Sequence, residues 1–324
     1  MESHFITCRK VKADGTLGSD IGDIRFLEVS DDASEPLGAH ERYTGGSYEG
    51  RVRRYAMDII NTFRIGTTRV TSGDIVFIVH GYNVSANHSL AFHRKIQARL
   101  TEAGYRGQFI SFDWPSDGVT LEYLDDLGKM RKTAVMLVNQ VMLPFVSLQQ
   151  PDCDVNLHIV AHSMGAYLLA NAFHDAEHNM TLKTQSWVAN QVILVSGDAP
   201  ATVFTNGDSM SVALYLRSAR LTNYQNAGDA VLQVSNAKRL FTHPRVGRVG
   251  LPDYIPESAI NVDATGLWTG AKPTYPASDQ FVESHTFWFD YKPFYVDLRY
   301  TLEGTLDRNA IPGRVATGKN RFSI

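Results

Sequence analysis

A serine set between an apolar run and an amphipathic one is the first place in this sequence where residue types and spacing suggest chemistry. Ser163 stands in L-H-I-V-A-H-S-M-G-A-Y-L-L, residues 157–169. A buried strand that turns sharply into a helix forces the residue at the apex into a strained backbone and lifts its Oγ above the sheet edge. The residues two before and two after must be small, because the two backbones nearly touch there. Ala161 and Gly165 meet that requirement, although Ala161 is a mild departure from the commoner G-x-S-x-G. Unpaired N–H groups and the positive dipole end of the new helix face such a serine. The Met164 N–H is therefore a candidate donor to an oxyanion. A serine here could also simply cap the helix. The strand before it and the helix after it favour a nucleophile.

A serine hydroxyl needs a base, and histidine suits that task near neutral pH. The chain has 11 histidines, so position must choose among them. Around a turn of this kind the partners follow in the order serine, acid, histidine. His243 precedes the last expected strand; His285, in E-S-H-T-F-W-F, follows it and is the expected base. Two aspartates compete as the acid that orients the imidazole. Asp229, in N-A-G-D-A-V-L, is favoured, with Asp198, in S-G-D-A-P, as the alternative. The second oxyanion donor should come from the loop His80-Gly81-Tyr82-Asn83, with the Tyr82 N–H in that role. Asp113 and Trp114, in F-D-W-P-S, end a strand on the same sheet edge, where ligands bind in open α/β sheets. They either line the substrate pocket, or Trp114 packs under the serine turn while Asp113 makes a turn hydrogen bond.

These groups need a scaffold, and short apolar runs alternating with longer helical patterns supply one: a mostly parallel central sheet with helices on both faces, class α/β. Buried strands are expected at Asp74 to Val79, Gln108 to Phe112, Asn156 to Val160, Gln191 to Ser196, Arg220 to Asn226 and Ala259 to Asp263. The helices between them are expected at Ser85 to Ala103, Leu121 to Leu148, Ala166 to His178, Ser209 to Ser218 and Ala230 to Phe241. An antiparallel lead-in is expected from Phe5 to Val11 and Asp23 to Val29. Residues 242–258 and 264–284 read as loops, so that 242–284 is the place for a lid, with His285 in a loop of its own. No linker-like shift divides the chain, and residues 1–324 read as one domain.

Composition narrows the class further. The 324 residues are 44% hydrophobic and 20% charged, with a net charge of −3, so no basic face for nucleic acid is expected. Cys8 and Cys153 lack zinc-like spacing and read as two reduced thiols. The N-terminus has no apolar signal stretch, and the tract from Ala134 to Leu148 is too short and polar to span a bilayer, which makes the cytoplasm the expected location. His174 and His178 sit four apart, but Asp175 stands where a zinc protease needs glutamate, and a solvated helix face is the expectation. G-G-S-Y-E-G at 45–50 lacks a phosphate-loop lysine and reads as a loop. F-W-F-D-Y-K-P-F-Y-V, 287–296, reads as core that could also wall a pocket.

Taken together, H-G-Y-N, F-D-W-P-S-D-G, I-V-A-H-S-M-G, G-D-A-V-L and the later S-H resemble the α/β-hydrolase superfamily, in an uncharacterised bacterial branch of esterase-like proteins. The resemblance covers roughly Asp74 to Phe289. It implies parallel strands around a central serine turn, a Ser163–acid–His285 triad, and no metal or organic cofactor. The expected activity is cleavage of a carboxylic ester, a thioester or lipid ester among them, through an acyl-enzyme. Acyl transfer or peptide cleavage on the same residues is the alternative, followed by a binding protein that kept only the fold.

Overall fold

A computed structural model describes residues 2–63, 71–116, 123–142, 145, 153–237 and 243–324. Ten strands form one sheet in the order β2-β1-β4-β3-β5-β6-β7-β8-β10-β9. They are β1 Ser3–Val11, β2 Leu17–Val29, β3 Thr71–Val79, β4 Gln108–Asp113, β5 Cys153–His162, β6 Ala189–Val195, β7 Ser218–Gln225, β8 Ala259–Asp263, β9 Val315–Gly318 and β10 Arg321–Ser323. The eight inner strands run parallel, and β2 and β9 close the edges as antiparallel partners.

Both faces of this sheet are covered, which is why central strands such as β3 and β6 read as nearly unbroken apolar runs. Along β3, Ile75 and Val79 pack on one side with Tyr55, Met130 and Leu168. The alternate residues Val76 and Ile78 pack on the other with Ile96, Trp288 and Leu298. Helices Tyr48–Asn61, Tyr123–Met136 and Met164–His178 thus cover one face, and Ala86–Glu102 and Lys292–Glu303 the other.

The expected strands and the helices after β3, β5 and β6 are present, with ends shifted by a few residues. Four readings need correction. The long helix expected over Leu121–Leu148 is an α-helix over Tyr123–Met136, and Leu137–Met142 winds as a π-helix; 121–122, 143–144 and 146–148 lie outside the described residues. G-G-S-Y-E-G is not merely a loop: Ser47 Oγ accepts the Gly50 N–H at 3.2 Å and starts the Tyr48–Asn61 helix. The 242–284 stretch is not a set of loops alone, since it holds helices Val246–Val249 and Thr265–Ala271 as well as β8 and most of helix Gln280–Thr286. His285 is the penultimate residue of that last helix rather than a loop residue. Cys8 is a free, buried thiol on β1, beside β4.

Candidate active site

Ser163 is the hinge between β5 and the Met164–His178 helix, with φ 55° and ψ −124°. For a residue with a Cβ this is a strained conformation, costing about 1–3 kcal/mol, and the neighbours over-determine it. The Ser163 N–H donates to Val195 O at 3.0 Å, and Ser163 O accepts the Asp198 N–H at 2.8 Å. Gly165 is required by close approach: a Cβ there would lie 2.6 Å from both the Val79 and His80 carbonyl oxygens. Gly81 is required for the same reason, since its Cβ would meet Ser163 Cβ at 2.6 Å. The His80–Asn83 loop therefore lies directly over the serine.

His285 Nδ1 lies 2.7 Å from Asp229 Oδ2, and both residues are buried. The acid is oriented in turn, because Asp229 Oδ1 accepts the Leu232 N–H at 2.9 Å. Two residues that the sequence reading did not single out lock this pair together. Asn226 Nδ2 donates to Ser284 O at 2.8 Å, and Ser284 Oγ accepts the Ala230 N–H at 2.9 Å. Burial alone would lower the His285 pKa; the charge and hydrogen bond of Asp229, with the charge of Asp198, override it and raise the pKa above 6.5. Asp229, not Asp198, makes the carboxylate contact with the imidazole that the structure shows. The Asp198 carboxylate accepts from Ser235 Oγ at 2.8 Å and pairs with Arg245 at 3.1 Å.

His162, beside the serine, was also missed. Its ring centroid lies 4.7 Å from that of His285, and its Nε2 is 3.3 Å from His285 O. Burial, reinforced by the neighbouring His285 charge, holds its pKa well below 6.5, so His162 is neutral and donates from Nε2. Ser163 is thus one residue from a ring that touches His285. The Ser163 Oγ itself makes no hydrogen bond among the described residues, a common state of such contacts before substrate binds.

Asp113 and Trp114 do not line a pocket; both are fully buried. Asp113 accepts from Arg9 Nε through both oxygens at 3.0 Å and from the Thr7 hydroxyl at 2.8 Å, and His80 Nε2 lies 3.2 Å from it. Trp114 stacks on the His80 ring at an interplanar angle of 6°, and its Nε1–H donates to His80 O at 3.0 Å. Ser116 Oγ donates to Gly81 O at 3.0 Å, and Arg9 Nη2 donates to Val84 O at 2.6 Å. The F-D-W-P-S motif therefore pins the carbonyls of the loop over Ser163. Removing a buried charge's solvent forces this multiplicity of partners, since an unpaired carboxylate could not be buried there. The His174 and His178 rings lie 4.5 Å apart, tilted, on the far part of the serine's helix, and no third metal ligand joins them among the described residues.

A parallel sheet with a strained serine at the end of a central strand, and a buried aspartate–histidine pair delivered from later in the chain, defines an α/β-hydrolase. The chain belongs to the family described as alpha/beta hydrolase of unknown function (DUF900), whose sequence profile matches residues 62–257. An uncharacterized protein of Nostoc sp. is 31% identical over 85 residues, which are 24% of this chain and 21% of that protein. Aspergillus fumigatus lipase B is similar in structure at 13% identity and a TM-score of 0.41, over 90% of this chain and 67% of that one. Esterase B from Lactobacillus rhamnosis is similar at 10% identity and a TM-score of 0.31, over 72% and 81%.

Proposed function

We propose that this chain is a serine hydrolase that cleaves carboxylic esters through an acyl-enzyme on Ser163. The observation that carries the proposal is the buried His285–Asp229 contact at 2.7 Å, at the edge of the sheet where the strained Ser163 stands. His285 Nε2 takes the Ser163 proton as Oγ attacks the carbonyl carbon. The Met164 and Tyr82 N–H groups hold the oxyanion. The imidazolium gives its proton to the leaving alcohol, and water, deprotonated by the same imidazole, then releases the acid and restores Ser163. A fluorophosphonate probe is expected to label the wild type and not Ser163→Ala. A folded wild type that stays unlabelled would end the proposal.

The raised pKa of His285 gives a second expectation. The base works only when neutral, so kcat/KM should fall as pH drops through a value above 6.5. In the fold, the same shift acts with opposite preference: the charged form is stabilised, its contribution is complete below 6.5 and is lost as pH rises through the folded pKa. An acid limb of the rate profile centred below 6.5 would contradict the assignment of His285 as the base.

A further inference from the structure

Beside Gly81 and His162 a cleft of about 320 Å³ opens between the Ala86–Glu102 helix and the Glu283–Asp290 segment. It is about twice the ~150 Å³ cavity that holds a benzene ring. Its apolar walls are the Phe92 and Phe289 rings, which meet edge to face at 4.6 Å. Its polar lining carries the Glu283 and Asp290 carboxylates, the Lys95 ammonium, the Thr286 hydroxyl and the His88 and His162 rings. Among the described residues the Glu283 carboxylate accepts only the Thr286 hydroxyl, at 3.2 Å, and Asp290 accepts from Lys95 at 2.9 Å. His162, only 8% exposed, spends its one N–H on His285 O and lines this cleft. Its Nδ1 lone pair has no partner among the described residues and lies beside the Gly81 position that faces Ser163. An acceptor left open on the cleft wall, next to a reacting hydroxyl, is a place for a ligand's donor.

Resting on the hydrolase reading, we infer that the cleft selects esters whose alcohol portion carries several hydroxyl groups. Hydroxyls match this lining in both senses: they donate to His162 Nδ1 and Glu283 and accept from Lys95. A plain alkyl group would offer these acceptors no donor. The aromatic walls take the C–H faces of the same polyol. The apolar hollow lined by Phe77, Leu157 and Trp187 shares no residue with this cleft or with Ser163, His285 and Asp229.

The test compares glycerol monoacetate with propyl acetate, which differ only in two hydroxyl groups, by titrating the acid released by the full chain. The wild type is expected to favour glycerol monoacetate at least tenfold in kcat/KM, chiefly through KM. Glu283→Leu and His162→Phe should each bring that ratio down at least threefold, and Glu283→Gln should retain part of it. Because the ratio is taken within each variant, a general loss of rate does not enter it. Equal use of both esters by the wild type overturns the inference and leaves the hydrolase reading standing. Hydrolysis of neither, with no probe labelling, overturns both.

Discussion

Asp229→Asn is expected to lower kcat/KM roughly 10,000-fold while leaving the protein folded, the scale seen when the triad carboxylate is replaced by an amide. The local hydrogen bonding says why the loss should be so large. Asp229 uses its two oxygens differently: Oδ1 accepts the Leu232 N–H at 2.9 Å and Oδ2 faces His285 Nδ1 at 2.7 Å. An asparagine has one oxygen, and the Leu232 N–H claims it. The amide nitrogen is then turned toward His285, where it can only donate. His285 Nδ1 must become the acceptor and the ring proton moves to Nε2, the nitrogen that has to be bare to receive the serine proton. Loss of the carboxylate also removes the main influence that raises the His285 pKa. Steady-state kinetics with a p-nitrophenyl ester, alongside a thermal melt, check this. A variant within tenfold of wild type would show that another group orients the base.

What the sequence made legible follows from the range over which each residue acts. Central strands such as β3 and β6 were readable because burial on both faces leaves little polar alternation, and the serine turn because a close backbone approach dictates small residues at 161 and 165. Asp229 and His285 were reachable from chain order. By contrast, β9 is exposed along its whole length, so no burial pattern marks it. The π-helical Leu137–Met142 looks like ordinary helix because nothing in its residue types separates one winding from the other. Asn226 binds Ser284 across 58 residues, and Arg9 binds Asp113 across 104; partners at such separations leave no local periodicity. His162 was hidden for another reason. The turn's sterics say nothing about the residue just before the serine, so only its contact with His285 in space reveals it. Asp113 and Trp114 were placed on the right edge of the sheet, but their depth was not readable from sequence: on that edge a residue can face ligand or support the loop that does.

That supporting role leads to the second large effect. Asp113→Ala is expected to cost about 3–5 kcal/mol of folding stability, the range for breaking a buried ion pair, because it strands the Arg9 guanidinium where neither side chain has any exposure. Burial by itself would raise the Asp113 pKa; the Arg9 charge and the His80 and Thr7 contacts hold it well below the ordinary 3.8. With a depressed folded value, this stability is fully present above the unfolded pKa and is lost only as pH falls through the folded one. A paired replacement separates fold from function. Arg9→Met with Asp113→Leu removes both charges together, and such swaps commonly recover stability. Urea unfolding should therefore show the double variant well above Asp113→Ala. Its activity should not recover, because Arg9 also donates to Val84 O and Trp114 O and so fixes the loop above Ser163. The oxyanion donors would then be present but misplaced, and removal of one such donor costs about 100- to 1,000-fold in kcat. Recovery of both stability and activity would mean that the loop holds its shape without the buried pair, and that the F-D-W-P-S motif serves the fold alone.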